Sequence, residues 1–191
     1  KSEKKRTLSN LVISYLTEKG DYSPRAEKSF VPGPVNRIDR NTSGLVIFGK
    51  TAHSIRLLNE IVKDKGEAVK EYLAVTSGDM LKGYKKGCEN PIVCKKPIMR
   101  NGRLLDAKTV FYPIESKGEK TLVLCRLFTG RTHQIRIHLS SLGFPVLGDN
   151  RYGKEAVPSP AGKNFGQYLY AYRLSFNGER SKELGLDGKV I

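Results

Sequence analysis

The chain has 191 residues, with 34 Lys and Arg against 19 Asp and Glu, a formal charge of +15, and 38% apolar residues. That length suits one domain with a full core, and the composition excludes a disordered chain. No apolar run approaches the roughly 20 residues that span a bilayer, and no signal-like segment opens the chain, so the expectation is a soluble, cytoplasmic protein.

The excess of positive charge calls for a polyanion. Nucleic acid comes first, because phosphate contacts release counterions and supply affinity without regard to sequence. A membrane surface is disfavoured, since no segment joins a basic face to a long apolar one.

Thr7 caps a first predicted helix over residues 7–20, with Leu8, Leu11, Val12, Tyr15 and Leu16 on one stripe and Gly20 as its stop. A Pro/Gly loop (Pro32-Gly33-Pro34) and the polar run from Asn36 to Gly44 lead into a short buried strand, Leu45–Phe48. Thr51 caps a second helix to about Asp64, with Ile55, Leu58, Ile61 and Val62 inward and Gly66 just beyond. Val69–Thr76 reads as a strand around Tyr72. Residues 78–103 read as irregular and basic, with five lysines and two arginines.

Ala107–Glu115 and Thr121–Phe128 read as a hairpin around Ser116-Lys117-Gly118-Glu119. The next segment alternates like a strand at His133–Leu139, yet Thr132 can cap a helix and Ile135, Leu139 and Leu142 share one face. Length and both boundary signals, Gly143 included, favour the helix. Thr129-Gly130-Arg131-Thr132 then lies at a strand-to-helix turn, where backbone N–H groups favour anions. Pro145–Gly153 is a loop, residues 154–166 are Gly/Pro-rich, and Tyr168–Phe176 is a last element ended by Asn177-Gly178. The mixture predicts an α+β fold around a mainly antiparallel mixed sheet flanked by helices and loops.

Cys88, Cys94 and Cys125 are few and match no common zinc spacing, which suits reduced thiols in a cytoplasm. His133 and His138 are five apart, so neither a helix nor a strand puts them on one face. No metal is expected. Taken singly, Asp39 reads as a solvated or capping acid between Arg37 and Arg40, and Tyr72 as a core aromatic. Arg131 reads as a binder of a phosphate or a core carboxylate.

Their combination and order say more. Arg37-Ile38-Asp39-Arg40-Asn41-Thr42-Ser43-Gly44-Leu45 resembles the H-R-L-D-x-x-T-S-G-L motif of the RluA-type RNA pseudouridine synthases. Lys70-Glu71-Tyr72-Leu73-Ala74-Val75 is similar to that family's K-x-Y-L-A strand. Gly130-Arg131-Thr132-His133-Gln134-Ile135-Arg136-Ile137-His138 is similar to its G-R-T-H-Q-I-R-x-H segment, and Gly148-Asp149-Asn150-Arg151-Tyr152-Gly153 continues the match. The resemblance covers roughly residues 7 to 176 in order, with Asn36 and Tyr170 standing where the family commonly has His.

The resemblance implies one catalytic domain over residues 1–191, without the family's early strand segment and small N-terminal RNA-binding domain. It implies conversion of uridine to pseudouridine in structured RNA, ribosomal RNA first and transfer RNA second, by a monomer with no cofactor and no obligate protein partner. Asp39 would be the catalytic carboxylate, as nucleophile or base, with Arg131 paired to it and Tyr72 stacked on the target base and able to take part in proton transfer. Ile135 would floor the ring. Arg37, Arg40, Thr42, Gly130, Thr132, His133 and Gln134 would bind substrate around it, and Lys82, Lys85, Lys86, Lys95, Lys96 and Arg100 would hold the RNA backbone. A rival reading is an RNA-binding module that kept this fold and lost catalysis, which would not need a carboxylate among basic residues. A metal-dependent nuclease would need clustered acids that the chain lacks.

RNA affinity should therefore fall linearly with rising salt in log–log terms, each phosphate contact adding roughly 0.7 to 0.9 to the slope. A filter-binding titration that stays flat from low to high salt would remove this electrostatic expectation.

Overall fold

The computed structural model describes residues 7–27, 29–64, 66–82, 91–153 and 166–191. The chain forms two compact units, one of Lys1–Arg37, Val46–Ala68 and Phe176–Lys189, the other of Ile38–Leu45, Val69–Ser175 and Val190–Ile191.

In the first unit, α1 (Leu8–Glu18) starts as expected: the Thr7 hydroxyl accepts from the Asn10 N–H at 3.2 Å. Three of the five residues of its stripe, however, face outward, and Val12 is half-buried. Leu16 is buried, whereas Leu8, Leu11 and Tyr15 are 52%, 61% and 53% exposed. Periodicity decides which side chains share a face, not whether another element covers it. A reciprocal capping box, Ser54 N–H to the Thr51 hydroxyl and Thr51 N–H to the Ser54 hydroxyl, starts a second helix, Ala52–Lys63 (α2). Its buried residues are Leu57, Leu58 and Ile61, while Ile55 and Val62 are half-buried.

The expected strand Leu45–Phe48 does not form as one piece. Two-residue strands flank it: β2 (Ser43–Gly44) belongs to the second unit, and β3 (Phe48–Gly49) pairs antiparallel with β1 (Gly33–Pro34) in the first. Leu45 N–H donates to the Ala171 carbonyl and Ile47 N–H to the Asn36 side chain, so neighbouring amides serve different partners and no single ladder is possible.

The second unit is built on a six-stranded sheet of order β2-β10-β4-β9-β8-β5. Its strands are β4 (Ala68–Ser77), β5 (Ile92–Cys94), β8 (Thr109–Ser116), β9 (Lys120–Leu127) and β10 (Leu169–Phe176), with β2 parallel to β10. The β4–β9, β8–β9 and β5–β8 pairs are antiparallel, as the α+β reading requires. The register sets Tyr72 opposite Cys125 and Ala74 opposite Val123. Alternation therefore sends Tyr72 and Ala74 to one face, where a core of Phe111, Val123, Cys125, Ile135, Leu139 and Val146 packs.

The stretch 78–103 is not irregular throughout. Beside β5 it holds a small hairpin, β6 (Ile98–Arg100) and β7 (Arg103–Leu105), turned by Asn101-Gly102 with φ of 49° and 74°. Two successive positive φ values match the right-handed twist of a hairpin, and Asn-Gly is the pair that adopts them. The basic composition of the stretch masked that signal. The helix reading after Arg131 holds, as α3 (Gln134–Ser141), but Thr132 is exposed and the residue at the helix entrance is His133, in a left-handed conformation with φ 56°. After β10 comes α4 (Glu179–Glu183), a short helix that the turn pair Asn177-Gly178 had not suggested.

Gly44 shows why the Thr-Ser-Gly turn needs glycine. Its φ is +115°, and a Cβ would lie 2.3 Å from the Ala171 carbonyl oxygen. Gly44→Ala should destabilise the protein by about 1–3 kcal/mol from backbone strain alone, with the steric clash adding to it. An unchanged urea midpoint would show that β2 does not need this approach to β10.

Candidate active site

Two side chains of α3 hold the loop that precedes it. Gln134 is 2% exposed and uses all its hydrogen-bonding capacity. Its Oε1 accepts from the Thr129 hydroxyl and the Arg131 N–H, and its Nε2 donates to the Lys108 carbonyl and the Thr109 hydroxyl. One turn further, His138 is fully buried, with Nε2 2.9 Å from the Lys96 carbonyl and Nδ1 2.9 Å from the Thr109 hydroxyl. A carbonyl only accepts, so the proton sits on Nε2 and Thr109 donates to Nδ1. Burial holds the His138 pKa below its ordinary value, in keeping with a neutral ring. Gln134 thus fixes the strand-to-helix turn on β8, and His138 ties α3 to β8 and to the segment before β6.

Arg131 does not meet Asp39. Its Nε donates to the Asp106 main-chain carbonyl at 3.0 Å. The guanidinium beside Asp39 belongs to Arg136, whose Nη1 donates to Asp39 Oδ2 at 3.1 Å. The motif contains both arginines, and their roles are separated by helical geometry. Arg136 is inside α3 and buried, whereas Arg131 precedes the helix and turns toward the end of β7.

Asp149 takes the other edge of Arg136. Arg136 Nε reaches Oδ2 at 2.6 Å and Nη2 reaches Oδ1 at 2.8 Å, a bidentate pair with an Asp149 side chain of 0% exposure. Arg136 and the Arg151 and Tyr152 N–H groups outweigh burial and hold the Asp149 carboxyl below its ordinary range. Such a buried charge is destabilising by about 3–5 kcal/mol if its partner is removed. Tyr152 lies with its ring 5.1 Å from the Arg136 guanidinium carbon, and its hydroxyl is 3.0 Å from His133 Nδ1. The other nitrogen, Nε2, faces Asp39 Oδ1 at 3.9 Å. Burial, together with Arg136 and Arg151, keeps the His133 pKa low against the opposing pull of Asp39.

Tyr72 packs against the core cluster that includes Ile135, and both burial and the charge of Asp39 push its hydroxyl up to about 12. Thr42 is buried; its hydroxyl accepts from Gln167 Nε2 at 2.6 Å and its N–H donates to the Asp39 carbonyl, closing the turn that carries the carboxylate. Arg40 is exposed next to it, and Arg37, also exposed, belongs to the first unit. A side chain at Gly130 would meet open space, so its backbone does not demand glycine. Lys82, Lys95, Lys96 and Arg100 are exposed, while Lys85 and Lys86 lie outside the described residues.

A cavity of about 520 Å³ is lined by Arg40, Thr42, Leu73, Val75, Gln167 and Tyr170. Leu73 and Val75 alternate with Tyr72, so it opens on the sheet face away from that ring. Among the described residues, no group of three or more His, Cys, Asp or Glu could hold a metal ion. Sequence reasoning missed Arg136, Asp149 and Tyr152 as parts of the site. All three stood inside quoted motifs, but nothing local distinguishes a guanidinium that meets Asp39 from one five residues earlier.

A family model described as RNA pseudouridylate synthase matches residues 5–141. The chain is 35% identical over 154 residues to ribosomal large subunit pseudouridine synthase C of Escherichia coli (strain K12), covering 74% of this chain and 47% of that one. It is 34% identical over 142 residues to the mitochondrial tRNA pseudouridine(32) synthase of Saccharomyces cerevisiae, covering 67% and 29%. It spans between 23% and 61% of the length of such curated relatives. The solved structure of human RNA pseudouridylate synthase domain containing 1 superposes with a TM-score of 0.62 at 23% identity, over 78% of this chain and 65% of that one, a likeness of fold.

His133 and His138 both have pKa values below the free-histidine value in the folded state, so the unfolded chain binds more protons as pH falls through 6.5. Stability should be full above that pH and decline as the medium is acidified from 7.5 to 5.5. His138→Asn should be less stable at pH 7.5 but lose less on acidification, the remaining slope coming from His133. Thermal midpoints that fall in parallel for the two proteins would remove His138 from the account.

Proposed function

Because the chain belongs to the RNA pseudouridylate synthase family, we propose that it isomerises uridine to pseudouridine in RNA, with Asp39 as the reacting carboxylate. The observation that carries this reading is the Asp39 carboxylate held against the buried guanidinium of Arg136, beside a tyrosine on β4. The reaction breaks the bond between uracil N1 and the ribose, turns the base, and joins C5 to the same anomeric carbon. The proton lost from C5 is balanced by one gained at N1, so no redox partner or group donor enters. A carboxylate at the anomeric carbon either attacks it or stabilises the positive charge that develops there. Arg136 directs that carboxylate through the bond from its Nη1 to Oδ2.

Tyr72 supplies a ring for the uracil to lie on and an O–H that keeps its proton. With a pKa pushed up to about 12, deprotonation at neutral pH costs roughly 7 kcal/mol, which favours stacking and hydrogen-bond donation over service as a base. A uridine inside a stacked helix cannot reach such a site, so the RNA must present it flipped out. The basic chain supports backbone contacts by Arg40 and the exposed Lys95, Lys96 and Arg100.

Ribosomal RNA is the first substrate class on this reading and transfer RNA the second; relatives named for each support both. The free buried thiols of Cys94 and Cys125 suit the cytoplasm, and a monomer suffices because Asp39, Arg136 and Tyr72 come from one chain.

Asp39→Asn should abolish uridine conversion while leaving fold and RNA affinity intact, since it removes one negative charge from a basic protein. Arg136→Ala should lower turnover by about 100-fold or more, because the carboxylate loses its orientation. Arg131→Ala should cost less than about tenfold, the equivalent of roughly 1.4 kcal/mol. Conversion is read by mapping pseudouridines in RNA from cells lacking the gene after incubation with each protein. Equal losses for the two arginine variants, or normal conversion by Asp39→Asn, would overturn the assignment.

A further inference from the structure

Both oxygens of the Asp39 carboxylate face groups that are held by a single turn. Oδ2 meets Arg136 Nη1 and Oδ1 faces His133 Nε2. Arg136 is gripped by Asp149 through Nε and Nη2, and the same Asp149 Oδ1 accepts from the Arg151 and Tyr152 N–H groups. Tyr152, so fixed, sets its hydroxyl on His133 Nδ1. In the tautomer with its proton on Nε2, the nitrogen turned to the carboxylate, the Tyr152 O–H donates to Nδ1.

The turn is closed by Gly153 N–H on the Asp149 carbonyl at 2.8 Å and tied to α3 by the Ser140 hydroxyl on the Tyr152 carbonyl. A Cβ at Gly153 would lie 2.6 Å from the Asp149 carbonyl oxygen, so only glycine closes it.

We infer that Asp149, with Tyr152, is a positioning residue of the catalytic carboxylate, acting on Asp39 through Arg136 on one side and His133 on the other. The inference rests on the pseudouridine synthase reading and extends it. A guanidinium facing Asp39 alone could offer either of its two-pronged edges, turning the carboxylate with it. Asp149 occupies the Nε/Nη2 edge from a fully buried place, so Asp39 meets the guanidinium from the Nη1 side, and the direction of that contact is set by the plane of the Asp149 pair. Neither Asp149 nor Tyr152 needs to touch RNA for this.

The test separates acting through a neighbour from merely supporting the fold. Total RNA from cells lacking the gene is incubated with the full-length protein, and pseudouridine formation is followed under single turnover over a range of enzyme concentrations. Asp149→Asn should slow the saturated rate by about 100-fold, as expected for a reacting group held in the wrong direction, with the half-saturating concentration within threefold of the unaltered protein. Placed on Arg136→Gln, Asp149→Asn should cause no further loss, because its route to Asp39 is already gone. Each single variant leaves a buried charge unpaired, Arg136 in one and Asp149 in the other, so rates are compared per folded protein as read by circular dichroism, and if either does not fold the test passes to Tyr152.

Tyr152→Phe keeps the ring and should slow the saturated rate about tenfold, yet do nothing further on His133→Gln. Losses that multiply in both double variants, or an Asp149→Asn protein with the normal rate, would overturn the positioning role while leaving the function standing. No conversion by the unaltered full-length protein would instead overturn the function, and the positioning role with it.

Discussion

A guanidinium taken almost wholly out of water must be paired on more than one edge, and the second unit is arranged around that requirement. Arg136 has 9% side-chain exposure, and two carboxylates divide it. Asp149 is entirely buried and anchors the charge, whereas Asp39 keeps 24% exposure and receives the edge that remains. The difference in burial assigns the parts. A carboxylate with both oxygens engaged and no exposure has no lone pair to spare for a ligand, and one that keeps about a quarter of its surface in solvent does.

The eight residues of α3 serve several ends at once. Ile135 and Leu139 join the core under the sheet, Gln134 and His138 hold the loop and strand beside them, and Arg136 carries the charge. Five of the eight are buried, which is why so short a helix stays in place without a side-chain cap at its start. The polar members are buried because their partners are backbone carbonyls, a backbone N–H, two threonine hydroxyls and two carboxylates at fixed distances, so each polar group is satisfied locally. Much of what makes the Gly-Arg-Thr-His-Gln-Ile-Arg run recognisable is therefore architecture. On the function proposed above, its chemistry would fall to one arginine and to His133, whose backbone is left-handed.

Several features were legible in the sequence itself: the α+β fold, both capped helices of the first unit, the antiparallel pairing of β4, β8 and β9, and the nearness of Asp39 to Tyr72. Caps, alternation and glycine stops are local signals, written over a few neighbouring positions, and they report local structure faithfully. The direction of the α1 stripe, the split of Leu45–Phe48 between two ladders and the β6–β7 hairpin were not legible. Each depends on which distant backbone group an amide or side chain meets, as Ile47 meets Asn36 and Leu45 meets Ala171.

The exchange of Arg131 for Arg136 shows the same limit at the site. Sequence alone determined that a carboxylate, a strand tyrosine and an arginine-bearing segment occur in this order, and that order suffices to place the chain in its family. Only the tertiary structure decided which arginine faces Asp39, because that depends on Gln134 fixing the turn, on α3 rotating Arg136 inward, and on Asp149 arriving from a loop thirteen residues on in the chain to hold it. An ion pair between residues 97 apart in sequence is set by the meeting of two surfaces, and no local pattern records where surfaces meet.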